Sequence, residues 1–198
     1  MSRTWKKSLV RVGSRRNGRP AMRHSPIRIL VKEHRMIRRV VDTCAETART
    51  IKEGQNVNIE LLAKITAFMQ QYADKCHHAK EEDLLFPAFE RAGVPSEGCP
   101  LAALRYEHKE GRAIVAALHE ALKLKRTATI LSSLHGIVAL YPNHIWKEEF
   151  LLFPLAKKLL SPQVQEELFT AFMAVDQALG SDMLNAHVAF AKRLSMLK

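Results

Sequence analysis

The sequence predicts an all-α protein: four long helices and an additional C-terminal helix packed as a bundle. Three observations lead there. Apolar residues recur at helical spacing through most of the chain, glycine and proline number only eight each in 198 residues, and aromatics are 7%. That is too little punctuation, and too few rings, for a fold of many strands and tight turns. At 47% hydrophobic and 26% charged, the composition is that of an ordinary globular chain with enough apolar material for a core.

The first helix starts after Ser25-Pro26, a cap and a first-turn proline, and carries Ile27, Leu30, Val31, Ile37, Val40 and Val41 on one stripe to about Lys52. Asn56 and Asn58 are candidate caps for the second, whose stripe of Ile59, Leu62, Ile65, Phe68, Met69 and Tyr72 continues to Ala92. Gly93, Pro95, Gly98 and Pro100 mark a connection. The third helix follows from Leu101 to Leu124 with Leu104, Ile114, Val115 and Leu118 inward. Thr127 or Thr129 is expected to cap the fourth, Ile130 to Leu160, which Pro142 and Pro154 should kink or interrupt because an interior proline lacks a donor and crowds the preceding turn. After Ser161-Pro162 a last helix, broken or bent near Gly180, should pack on the bundle. The domain division is thus a tail over 1–24, the bundle over 25–160 and the C-terminal helix over 161–198.

The net charge of +11 belongs to the tail. Nine of the 31 Lys and Arg lie in residues 1–28, which hold no Asp or Glu, leaving 22 basic against 20 acidic residues in the rest. A basic, stripe-free segment of this kind is expected to be flexible. A nucleic-acid or other anionic partner, or a transit-type role, is the functional reading of it; a dispensable extension upstream of Met22 is the plainer one. No apolar run approaches the ~18 residues of a membrane span. Cys44, Cys76 and Cys99 are odd in number and widely spaced, which argues against a disulfide framework and suits a cytoplasmic location.

The chemistry lies in an internal duplication. His77-His-Ala-Lys-Glu81-Glu82-Asp-Leu-Leu-Phe-Pro87 and His144-Ile-Trp-Lys-Glu148-Glu149-Phe-Leu-Leu-Phe-Pro154 agree at eight of eleven positions, and each is preceded on an earlier helix by a Glu-His dipeptide, Glu33-His34 and Glu107-His108. Residues four apart on a helix share a face, so His77 with Glu81, and His144 with Glu148, each form a chelating pair. Four helices around one core bring His34, His77, Glu81, His108, His144 and Glu148 together, as in carboxylate-bridged dimetal bundles. Burying so many lone pairs without a cation is costly, which makes a metal the economical explanation. Imidazole and carboxylate without thiolate suit iron, manganese or zinc. If both carboxylates bridge, about eight of some twelve positions around two six-coordinate ions are filled, leaving room for an oxo or hydroxo bridge and an exchangeable position on each ion.

This arrangement resembles the hemerythrin-like, or HHE cation-binding, family over about residues 25–160. The resemblance implies an up-and-down four-helix bundle and a non-haem centre of two iron ions, with zinc or manganese as alternatives. It also implies that His34, His77, Glu81, His108, His144 and Glu148 are the ligands and that Glu81 and Glu148 bridge. Oxygen-carrying hemerythrins have a further histidine where this chain has Arg112, so the set looks more like the bacterial branch that handles nitrosative or oxidative stress. The implied ligand is a small oxidant, O2, NO or peroxide. A non-catalytic metal or O2 sensor, and iron storage with ferroxidase activity, are the rival functions.

For the remaining polar residues the expectations are plainer. His78 with Glu82 is an alternative chelate in a register shifted by one residue. Glu82 and Glu149 are expected beside the site or at the surface; Glu33 and Glu107 either orient imidazoles or pass protons or, since neighbouring helix positions usually point elsewhere, lie in solvent, the plainer reading. Tyr106, Tyr141 and Trp146 are read as packing residues and Cys76 as a small buried hydrophobe. His24, His119, His135 and His187 have no matching partner.

Overall fold

The structure is a computed structural model that describes residues 25–98 and 100–194; the segment 1–24, to which the flexible-tail reading applies, lies outside them. Every regular element among the described residues is helical. Helix α1 is Pro26–Lys52. Helix α2 runs from Ile59–Phe68 through Met69–His78 and Lys80–Leu85 to Phe86–Arg91. Helix α3 is Leu101–Lys123, and α4 runs from Thr127–Lys147 through Glu148–Leu152 to Phe153–Leu159. Two further helices, α5 (Pro162–Leu179) and α6 (Ser181–Leu194), meet at Gly180, whose φ of 91° favours a residue without a Cβ.

The capping chemistry is only partly as the sequence suggests. Asn58 accepts from the Leu61 amide at 3.0 Å, as a cap should. Ser25 stands at the cap position of α1 without a side-chain bond, and Pro26 supplies the first turn. Thr127 is the first residue of α4, so the cap position is Arg126, and neither threonine caps. Pro142 does not interrupt α4, whereas ahead of Pro154 the α-helical winding gives way to a wider one. Pro142 sits within continuous helix, and Pro154 follows a turn, Glu148–Leu152, wound with i→i+5 hydrogen bonds. The same wide winding over Lys80–Leu85 precedes Pro87. A wider turn gives a proline ring room against the preceding carbonyls. Each copy of the duplicated segment therefore places its wide turn where its glutamates lie.

Two apolar layers enclose this region. One contains Ile37, Val41, Ile65, Phe68, Tyr72, Val115, Leu118, Leu134, Ile137 and Ile145. The other contains Leu30, Leu85, Phe86, Phe89, Leu104, Leu152, Phe153 and Phe172. On α1 and α3 the order along the chain is second layer, histidine, first layer; on α2 and α4 it is reversed. The histidines of all four helices thus fall at one level, between two sheets of hydrocarbon that exclude water.

Candidate metal centre

At that level His34 (α1), His77 (α2), His108 (α3) and His144 (α4) are all buried, and Glu81 and Glu148 are 0% exposed. Their ring Nε2 atoms turn inward. His34 Nε2 lies 3.1 Å from Glu148 Oε2, and His77 Nε2 and His108 Nε2 each lie 3.5 Å from Glu81 Oε2. His144 Nε2 is 3.3 Å and His108 Nε2 3.7 Å from Glu148 Oε1. Two four-residue groups result, His34-His77-Glu81-Glu148 and Glu81-His108-His144-Glu148, in each of which the donor atoms lie within 4.8 Å of one another. Both glutamates belong to both groups, and Glu148 offers a different oxygen to each side.

What fixes the rings is a second set of glutamates: Glu82 and Glu149, expected beside the site or at the surface, and Glu33 and Glu107, whose plainer reading in sequence is solvent. Each Nδ1–H donates to a carboxylate from a neighbouring helix: His77 to Glu33 (2.9 Å), His108 to Glu82 (2.6 Å), His144 to Glu107 (3.0 Å) and His34 to Glu149 (2.9 Å). A cation holds each of those carboxylates in turn: Lys80 on Glu33, Arg112 on Glu82 (2.9 Å), Lys147 on Glu107 and Arg38 on Glu149 (3.0 Å). The circuit passes from α1 to α2, α3, α4 and back to α1. Glu33 is 6% exposed rather than solvated. Adjacent helix positions do diverge from the residue's own histidine, but here they diverge onto the next helix's histidine. The signal was present in the sequence: a Glu-His dipeptide twice, and Lys-Glu-Glu three residues after each chelating histidine.

This circuit sets the tautomer of all four imidazoles. With the proton on Nδ1, every Nε2 presents a lone pair to the centre. His108 Nε2 and His144 Nε2 stand 3.1 Å apart, close enough to share a proton in the metal-free chain, in line with the raised proton affinity of His144. Both oxygens of Glu81, both of Glu148 and Nε2 of His34 have no hydrogen-bond partner. Titration behaviour follows from the crowding. Burial, reinforced by Glu148, pushes the Glu81 carboxyl well above the usual carboxylate range. Burial opposes ionisation of Glu148 too, but His144, His108 and His34 outweigh it and hold that carboxyl well below. Burial, with the neighbouring His34 ring working in the same direction, holds His77 well below the ordinary imidazole range. Burial likewise works against His144, yet Glu148 and Glu107 raise it to about 9.

The alternative pair His78 and Glu82 does not converge, because Glu82 bonds to His108 instead. His78 is buried and stacks on His108. Cys76 Sγ lies near Asp176 (3.2 Å), within a knot that Lys80 ties by bonding Glu33, Asp176 (2.6 Å) and Cys76 (3.3 Å). Glu33, Cys76 and Asp176 form a ligand-like cluster, but the Lys80 ammonium already lies among them. Lys80 is 0% exposed, and removing one partner of a buried ion cluster costs about 3 kcal/mol or more. Lys80→Met is therefore expected to lower unfolding stability by about that much in a urea titration. A change under ~0.5 kcal/mol would show that the cluster is solvated.

Three comparisons bear on this geometry. A model of the hemerythrin HHE cation-binding domain matches residues 25–156. Uncharacterized proteins of Mycobacterium bovis and of Mycobacterium tuberculosis are 22% identical over 138 residues, which is 67% of this chain and 53% of each of theirs. The chain therefore spans about half the length of those curated relatives. No solved structure matches it. No described helix is long and apolar enough to cross a membrane. A family match over two thirds of the chain, centred on a buried cluster of imidazoles and carboxylates suited to a cation, leads to one conclusion: the chain belongs to the hemerythrin HHE cation-binding domain family.

Proposed function

We propose that the protein is a non-haem di-iron protein, an up-and-down four-helix bundle that binds or reduces a small oxidant such as O2, NO or peroxide in a cytoplasmic stress response. The observation that carries the reading is the inward-facing set of four Nε2 atoms and four carboxylate oxygens, in which both oxygens of Glu81, both of Glu148 and Nε2 of His34 have no hydrogen-bond partner. Only protons or cations satisfy such a set, and two cations satisfy it with both glutamates shared. His34 and His77 would hold one ion, His108 and His144 the other, and Glu81 and Glu148 would bridge them. Iron fits the thiolate-free donor set and would supply electrons to a bound oxidant. The chain's own part is to orient the imidazoles through Glu33, Glu82, Glu107 and Glu149, with Nε2 of each ring turned to the centre, and to exclude water between the two apolar layers. The reversed layer order on successive helices supports the up-and-down reading, and buried free thiols at Cys44 and Cys76 support a reducing compartment.

The test is anaerobic loading with Fe(II), followed by optical spectra before and after exposure to air and to NO. Near-ultraviolet absorption of coupled ferric ions, and a response to one of the gases, is expected. An iron-loaded protein silent to both would favour storage, and sustained Fe(II) oxidation with iron release would establish it. The outer carboxylates give a graded check: Glu149→Gln should weaken iron binding about 10- to 100-fold by metal-competition titration. Unchanged affinity would remove the orienting role.

A further inference from the structure

His78 is 2% exposed, and neither of its ring nitrogens has a hydrogen-bond partner. Its ring lies flat on that of His108, with centroids 3.8 Å apart and planes 15° from parallel, and meets His144 edge-on at 5.9 Å. One of its nitrogens lies within 4.8 Å of nitrogens of both. An imidazole left unbonded in an interior costs a sizeable fraction of a small protein's stability and calls for an explanation.

Ligation of the ion beside His108 is ruled out by the stack. An imidazole binds a metal in its own ring plane, so an ion in the plane of His108 lies about a stacking distance out of the plane of His78. That offset would instead set a His78 nitrogen beside an ion held by His108, within reach of a small ligand bound to that ion. The tautomer is also open. The four site histidines meet carboxylates at 2.6–3.0 Å, whereas Asp74 stands 3.4 Å from His78 Nδ1 and bonds Arg112 at 2.7 Å. No hydrogen bond therefore fixes the His78 proton on either nitrogen.

A cavity of about 200 Å³ reaches the same ring, lined by Asp74, His78, Gly111, Arg112, Val115 and Tyr141. Arg112 and Asp74 are partly exposed and stand at its outer end. Gly111 holds it open between α3 and α4, since a Cβ there would lie 3.0 Å from the Tyr141 hydroxyl.

We propose that this cavity admits the small oxidant to the ion held by His108 and His144, and that His78 donates a hydrogen bond to it there. The inference rests on the di-iron reading above. Sodium azide is the probe, added to the full chain loaded with ferric iron, with binding followed by its charge-transfer band. His78→Phe should keep the parent's iron content and bind azide about tenfold more weakly, the value of one lost hydrogen bond. His78→Gln, which retains a donor, should recover most of that loss. Gly111→Ala, whose added methyl group meets Tyr141 and Leu140 rather than an imidazole, should slow azide association without changing iron content. Equal azide affinity in His78→Phe, or an unchanged association rate in Gly111→Ala, overturns the proposal. Loss of one iron per chain in His78→Phe overturns it too, by making His78 a ligand. A parent chain that binds two irons but no azide overturns the proposal alone, whereas one that takes up no metal sinks the di-iron reading itself.

Discussion

Glu81→Gln is expected to lose both metal ions while leaving the metal-free chain at least as stable as the parent. Its Oε2 stands 3.5 Å from Nε2 of His77 on one side and of His108 on the other, so one substitution removes an anionic ligand from both positions. A quarter share of the ~10–16 kcal/mol that four ligands supply at a structural zinc site is about 3 kcal/mol, roughly 100-fold in affinity for each ion. Without metal the balance reverses. Burial and Glu148 favour the protonated, neutral form of Glu81, and glutamine is neutral with nearly the same shape. A buried cluster of unpaired carboxylates and imidazoles is a stability liability that bound cations would relieve, and removing the charge relieves it as well. The checks are metal content after dialysis and the melting temperature in chelator. A Glu81→Gln protein that retains one full equivalent of metal would show that the carboxylate is not shared.

Metal loading is expected to add about 8 kcal/mol of stability when each of two sites is held at a thousand times its dissociation constant. The margin should widen as pH rises. The raised proton affinity of His144, about 9 in the folded chain against an ordinary 6.5, contributes stability that is complete below pH 6.5 and is lost as pH climbs through 9. Glu81, whose folded-state value is also raised, adds a term of the same sign, present below the ordinary carboxylate range and lost on the way up. Together they make the metal-free chain less stable at pH 9 than at pH 6.5, by on the order of 3 kcal/mol from His144 alone. Metal binding needs the same groups deprotonated, so affinity rises over that interval. Melting curves with and without chelator at the two pH values test this: the gap should grow towards pH 9, and a gap that shrinks would mean that the ligands are not these titrating groups.

Much of this was legible in the sequence because both the helical stripe and the duplicated segment are local signals. The apolar spacing from Ile27 to Val41 and from Ile59 to Tyr72 defines helices without reference to neighbours. The pairs His77-Glu81 and His144-Glu148 need only the pitch of a helix to become chelates. Other features depended on partners from elsewhere in the chain. Glu33 and Glu107 look like solvated neighbours of a histidine until the adjacent helix is in place, when each proves to face the histidine of the next. Arg112 appears as a missing histidine in sequence and as the clamp on Glu82 in space. Pro154 predicts an interruption by its ring alone, but the wide turn before it makes room. His78 reads in the sequence as half of a shifted chelate; its flat stack on His108 is visible only in space.

The central claim is that two iron ions occupy the His34, His77, Glu81, His108, His144 and Glu148 set. The most direct test is elemental analysis of the full chain purified from iron-replete cells, with metal expressed per chain. The account predicts two iron ions per chain; stoichiometric zinc, or no metal after iron reconstitution, would contradict it.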